Sequence, residues 1–161
     1  MNKNKIVLVT GTFNLLHRGH IELLAFASKF GYVVVGTNAD WYLKEKYGTK
    51  AVPLNDRVYC LKACRYVDEV QVFLEREPSK LIKQLKPDYY IKGPDYAGQE
   101  LPEQAALDKT KAELIIHQAA KKYSSSKLMS ALIHESSVHL NTAENIIDKT
   151  FSGFFREDKL I

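Results

Sequence analysis

The residue order predicts an α/β architecture: a doubly wound, parallel five-stranded sheet with helices on both faces, in a single domain that carries a C-terminal helical extension. Three observations predict it. Strand-like and helix-like segments alternate about five times along the chain. The strand-like segments are short β-branched, apolar runs, as in strands covered on both faces. And 45% of the 161 residues are hydrophobic, enough to build the core of one domain. Such alternation implies right-handed crossovers, with ligands beyond the carboxyl ends of the strands, where strand order reverses.

Residues 5–10 (KIVLVT) read as the first strand, ended by Gly11. The start of the chain superficially resembles a targeting segment, but no small-residue cleavage site follows it, so a strand is expected. In residues 19–30, Ile21, Leu24, Ala25 and Ala27 have helical spacing, and Gly31 falls where a C-terminal cap belongs. Residues 32–36 (YVVVG) read as the second strand, 40–46 as a short helix, and 47–55, with Gly48 and Pro53, as a loop. Residues 55–66 read as a helix capped by Asn55 or Asp56. Then follow a strand at 69–73, a helix at 78–85 with Pro78 near its first turn, and a strand at 88–91. Residues 92–99, with two glycines and a proline, form a loop, followed by a helix at 101–110 and a strand at 113–116. Residues 124–126 open a helix that 127–134 continue, and 141–149 suit one more. The expected organisation is a domain at 1–135 and a helical tail at 136–161 that serves a dimer contact.

A formal net charge of +4, from 23 basic and 19 acidic residues, is too small an excess to argue for nucleic acid. It suits a pocket for polyphosphate. No run of eighteen apolar residues exists, so no membrane-spanning segment is expected. Cys60 and Cys64, four apart, read as two small buried residues of a reducing, cytoplasmic compartment. They do not suggest a disulfide or a metal site.

The chemistry concentrates after the first strand, in Gly11-Thr12-Phe13-Asn14-Leu15-Leu16-His17-Arg18-Gly19-His20. A helix start offers unpaired N–H groups and the positive end of the helix dipole. Gly19 leaves room for a phosphate, and His17 and His20, three apart, can both donate to it. Phosphoryl and nucleotidyl transfer need charge stabilisation and in-line positioning more than a nucleophile.

The whole string resembles the signature of the cytidylyltransferase-like nucleotidyltransferases. The resemblance covers roughly residues 4–134, and its fold is Rossmann-like. Position 14 departs from it: Asn14 stands where the family has Asp, which keeps the shape but drops the charge and changes acceptor handling. Asn38-Ala39-Asp40 looks like the family's Asn-Ser-Asp. Lys46, or Lys44 after a small slip, falls where the family has a phosphate-contacting lysine. Arg57 matches an arginine that helps hold phosphate. Lys92-Gly93-Pro94-Asp95-Tyr96 resembles the family's Lys-Gly-x-Asp-Tyr loop around the nucleotide. Tyr123-Ser124-Ser125-Ser126 is similar to its hydrophobic-Ser-Thr-Thr motif, which holds the β- and γ-phosphates.

The pattern is most similar to the adenylyltransferase domain acting on heptose 1-phosphate. Glycerol-3-phosphate cytidylyltransferases come next, but their arginine before the Ser-Thr-Thr motif is missing from residues 119–122. The resemblance implies transfer of a nucleoside monophosphate from ATP or CTP to a sugar phosphate, with loss of pyrophosphate. It assigns catalysis to His17, His20 and Lys46. Gly11, Thr12, Phe13, Gly19, Lys92, Gly93, Asp95, Tyr123, Ser124, Ser125 and Ser126 take the nucleotide. Asn14, Asp40, Lys44 and Arg57 take the acceptor. Magnesium (Mg2+) enters on the triphosphate, with no protein metal cage. The partners are the nucleoside triphosphate and the phosphorylated acceptor, in a homodimer, without nucleic acid or membrane. A nucleotide-binding regulator with impaired catalysis is the alternative, and the lack of Gly-x-Gly-x-x-Gly disfavours a nicotinamide-dependent dehydrogenase.

Overall fold

The computed structural model describes residues 4–48 and 51–118, with Leu128 and Ser130. The chain divides into two compact units, Met1–Ser125 and Ser126–Ile161, and the features below belong to the first. Five strands form one parallel sheet: β1 (Ile6–Gly11), β2 (Tyr32–Asn38), β3 (Glu69–Phe73), β4 (Tyr89–Lys92) and β5 (Glu113–Ile116). Their order is β3-β2-β1-β4-β5. The helices between them are α1 (Arg18–Ala27), α2 (Asp40–Tyr47), α3 (Leu54–Lys62), α4 (Ser79–Leu85) and α5 (Gln104–Thr110). The predicted doubly wound architecture is therefore the one observed.

Strand alternation divides the core in two. Val7, Val9, Val33, Val35 and Ile91 pack with Leu24 and Ala27 of α1 and Leu61 of α3. Leu8, Val34 and Tyr90 point the other way and pack with Leu81 and Ile82 of α4 and Ala106 and Leu107 of α5. Both faces of the inner strands are covered, which is why those strands read as continuous apolar runs. Each fully buried Leu or Val here stabilises the fold by about 1.5–3 kcal/mol. The chain leaves β1 toward β2 and β3, then returns to its other side with β4 and β5. The reversal places a crevice beyond Gly11 and Lys92, the carboxyl ends of β1 and β4.

Several expected boundaries shift. α1 ends at Ala27 because its last turn tightens: Lys29 and Phe30 N–H groups reach the carbonyls of Phe26 and Ala27, three residues back. Gly31 is thus no helix cap, and its φ is not positive. It is glycine because a Cβ there would lie 2.2 Å from the Lys5 carbonyl oxygen, where the chain turns into β2. α3 starts at Leu54 behind Pro53, so Asn55 and Asp56 lie inside its first turn and do not cap it; the helix stops at Lys62. α5 begins at Gln104, after a turn at Leu101. A single 3-10 turn, Pro94–Tyr96, interrupts the loop after β4. Both cysteines are free thiols, but Cys60 is exposed on the outer side of α3, contrary to the expected burial. Among the described residues no helix is long and apolar enough to cross a membrane. The helices expected at 127–134 and 141–149 lie essentially outside the described residues.

Candidate functional site

The β1–α1 loop is built under strain. Phe13 takes a left-handed conformation at φ 45° while its ring stays buried in the core. That conformation costs a non-glycine residue on the order of 1–3 kcal/mol and persists only when packing over-determines it. The ring folds back over Gly11, where a Cβ would lie 3.2 Å from it. The chain then enters α1 through His17, whose carbonyl accepts the His20 and Ile21 N–H groups. Among the described residues no side chain caps this helix start, and no acidic residue occupies its first turn. Its positive end is left for an external anion.

His17 and His20 stack there, with ring centroids 3.8 Å apart and planes inclined by 20°. Phe13 backs the pair at 5.0 Å from His20. Burial pushes the His20 imidazole down to about 4, helped by the neighbouring His17 and opposed by a hydrogen bond to the Leu15 backbone. Burial also lowers His17. Both rings are therefore neutral near pH 7, and each offers one N–H donor. The Nδ1 atoms of both rings are shut from solvent and have no partner among the described residues. Gly19 sits between them in the first turn of α1.

Beside this loop lies a cleft of about 190 Å3 at the carboxyl ends of β1 to β4. Thr10, Gly11 and Thr12 line it from β1 and Asn38 from β2. Tyr42 and Lys46 line it from α2, and Arg76 and Glu77 from the segment after β3. Lys92, Tyr96 and Glu103 complete it. The histidines do not line the cleft; the Gly11–Thr12 segment joins the two features. Of the two candidate lysines, Lys46 reaches the cleft and Lys44 does not. Lys46 Nζ lies 5.4 Å from the Tyr47 ring, and the Tyr47 hydroxyl is 3.4 Å from Thr12 Oγ1.

Arg57 has a different role from the expected phosphate contact. Its side chain is fully buried, and all five N–H groups are spent within the protein. Nε donates to the Val52 carbonyl at 3.0 Å. Nη1 donates to the Thr12 carbonyl at 3.0 Å and to Thr37 Oγ1 at 2.8 Å. Nη2 donates to the Asn38 carbonyl at 2.9 Å and to Asp40 Oδ1 at 3.0 Å. No donor remains for a phosphate, so Arg57 braces the ends of β1 and β2 and the start of α2. Asp40 is correspondingly the partner of this brace and the acid in the first turn of α2. Asn14 is also displaced from the expected acceptor contact. It is 1% exposed, takes the Val52 N–H on Oδ1 at 2.7 Å, and borders a separate, mainly apolar hollow. Together Asn14 and Arg57 hold the strained loop against residue 52.

Lys92 and Glu103 form a buried pair at 3.3 Å, with side chains 6% and 4% exposed. The Tyr90 hydroxyl donates to Glu103 at 2.5 Å. Its proton is thereby committed, so Thr10 Oγ1 donates to Tyr90 at 2.5 Å while accepting from Lys92 Nζ at 3.2 Å. The result is a closed ring of four side chains beneath the cleft. Burial and the Glu103 carboxylate raise the Tyr90 phenol, keeping it protonated as the ring requires. The Tyr96 face covers Lys92 at 4.1 Å. Gly93 precedes the 3-10 turn that holds Asp95, which is exposed. Tyr123, Ser124, Ser125 and Ser126 lie outside the described residues.

Sequence reasoning missed Tyr90, Glu103, Thr10 and Arg76. For Arg76 a signal existed: it follows the carboxyl end of a parallel strand, where ligands gather. Among the described residues no group of three or more metal-ligating side chains converges.

A family model described as cytidylyltransferase-like matches residues 8–136. Among curated proteins, the chain is similar to the bifunctional protein HldE of Streptomyces coelicolor. It is 45% identical over 105 residues, covering 63% of this chain and 23% of that protein. Similarity to the bifunctional protein HldE of Campylobacter concisus is 42% over 103 residues, 62% of this chain and 22% of that one. The match thus spans less than a quarter of these relatives' length. Among solved structures, the lipopolysaccharide core biosynthesis protein from Thermoplasma volcanium aligns with a TM-score of 0.60. Its identity is 23%, over 73% of this chain and 98% of that one. Pantothenate synthetase from Thermus thermophilus aligns with a TM-score of 0.54 and 15% identity, over 76% and 58% of the chains. At these identities the two structures speak for the fold alone. The family match runs from β1 past β5 and takes in the paired histidines, the cleft and the ring beneath it: this chain belongs to the cytidylyltransferase-like family.

Proposed function

We propose that the protein is a nucleotidyltransferase that moves a nucleoside monophosphate from ATP or CTP to the phosphate of a small phosphomonoester, a sugar phosphate foremost. The carrying observation is the neutral, stacked His17–His20 pair at an uncapped helix start, one loop away from a cleft lined by Lys46. The triphosphate enters as its magnesium complex and lies along the β1–α1 loop. The two imidazoles donate to the α-phosphate and its bridging oxygen. The acceptor occupies the cleft, with Lys46 aligning its phosphate. An acceptor phosphate oxygen attacks the α-phosphorus in line, the bond to the bridging oxygen breaks, and pyrophosphate leaves with the electron pair. Residues 123–126 take the β- and γ-phosphates in this reading.

Similarity to bifunctional protein HldE supports a sugar phosphate acceptor, with heptose 1-phosphate the first to try. The burial of Asn14 weighs against a regulator without catalysis, because its Oδ1 is taken by the Val52 N–H and the residue does not line the cleft. Thermal shift with the four ribonucleoside triphosphates identifies the donor, since a ligand raises stability with its concentration over its dissociation constant. Pyrophosphate release is then followed across a panel of sugar phosphates. Tight nucleotide binding with no release from any acceptor would overturn the proposal.

A further inference from the structure

Among the described residues the cleft holds five charged side chains, and most of that charge is already spent. Glu103 and Lys92 neutralise each other at 3.3 Å. Glu77 turns its carboxylate to the start of α4, where it accepts the Ser79 N–H at 2.9 Å and the Ser79 hydroxyl. Lys46 and Arg76 remain. Lys46 pairs with no carboxylate among the described residues. Arg76 meets Glu45 at 2.9 Å, but both side chains are more than half exposed, so solvent screens the pair and it yields readily to a ligand.

The two cations are held by different neighbours. Tyr47, next to Lys46, approaches Thr12 beyond β1 at 3.4 Å between hydroxyls. Arg76 follows β3 and lies against β2 and α2, its guanidinium meeting Glu45 and Trp41 of α2. Arg76 is also prepositioned. Its guanidinium lies 5.5 Å from the Trp41 ring, and the Trp41 indole N–H is fixed on the Leu74 carbonyl at 2.8 Å. The Asn38 amide donates to the Arg76 carbonyl at 3.4 Å. In the same cleft, Asn38 and Tyr42 offer uncharged polar groups that suit hydroxyls.

We propose that the acceptor carries a second anionic group, distinct from its attacking phosphate, which Arg76 binds through its planar guanidinium. The acceptor class is a sugar phosphate bearing a further phosphate or a carboxylate. This rests on the nucleotidyltransferase reading above and narrows its substrate.

The test compares three acceptors that differ at one carbon: hexose 1-phosphate, hexose 1,6-bisphosphate and hexuronic acid 1-phosphate, with the donor found by thermal shift. A kcat/KM for pyrophosphate release about tenfold or more higher for either acceptor with a second anionic group, mainly through KM, is expected. Which of the two wins tells phosphate from carboxylate. Arg76→Ala brings the ratio toward one, Arg76→Lys keeps part of it, and Arg65→Ala, at an arginine away from the cleft, leaves it intact. Equal kcat/KM for all three, or a preference that survives Arg76→Ala, overturns the proposal. If no acceptor releases pyrophosphate, the nucleotidyltransferase reading falls. Calorimetric binding of the same three sugars to the wild type and Arg76→Ala then decides the anion site separately.

Discussion

The imidazoles of His17 and His20 lie face to face, 3.8 Å between centroids, at the start of α1. Neither stacked ring can move without disturbing the other, so the pair acts as one unit. His17→Ala and His20→Ala each lower turnover by about 10²-fold or more, the scale of losing one transition-state donor. Pyrophosphate release measures this, and near-normal rates in both variants would remove the pair from the chemistry.

The same pair makes stability depend on pH. His20 titrates near 6.5 when unfolded and at about 4 when folded, so between these values the unfolded chain binds the extra proton. The contribution is fully present above the unfolded value and is lost as pH falls through 6.5 toward 4. The limiting slope for one proton is about 1.4 kcal/mol per pH unit. Urea midpoints from about pH 7.5 to about pH 4.5 should decline, and His20→Gln should flatten that decline.

Arg57 is a brace, so its loss is a folding defect before it is a catalytic one. Arg57→Ala leaves the Thr12, Asn38 and Val52 carbonyls short of a donor and costs about 3 kcal/mol or more. Arg57→Lys keeps the charge but not the fork and recovers only part. Urea denaturation gives both numbers; an Arg57→Ala midpoint equal to the wild type would refute the brace.

Glu103→Ala strands the Lys92 charge beneath the cleft and should cost about 3–5 kcal/mol. The double variant Lys92→Met with Glu103→Leu removes both charges and should regain most of that loss. Its affinity for the nucleoside triphosphate in thermal shift then isolates what Lys92 does for ligands. A double variant no more stable than Glu103→Ala contradicts this account.

Gly31→Ala sets a methyl 2.2 Å from the Lys5 carbonyl oxygen, a backbone atom with no rotamer to escape into. A large fall in melting temperature is expected. Gly93→Ala, where a Cβ would meet nothing within 4 Å, is the control that should fold normally.

The sheet was legible because its strands are buried on both faces: KIVLVT and YVVVG have no other stable use. Helix ends were less so, since the early stop of α1 depends on a tightened last turn and Gly31 on an approach to Lys5. In the site, the histidines could be found from their spacing, and Lys46 or Lys44 from the family resemblance. The Arg57 brace could not, because its acceptors at Thr12, Thr37, Asn38, Asp40 and Val52 meet only after the sheet forms. The Thr10–Tyr90–Glu103–Lys92 ring likewise needs β1 and β4 side by side, 80 residues apart in sequence for Thr10 and Tyr90.

Of the five strands in this sheet, β1 is synthesised before the other four and ends up in the middle. Its side facing β2 is satisfied once that neighbour emerges, but the other side waits until residue 92 has left the ribosome. Throughout that interval Val7, Leu8 and Val9 present an unzipped, sticky margin, an invitation to self-association. Nascent or prematurely terminated products ending before Tyr89 are accordingly the species that a chaperone must guard.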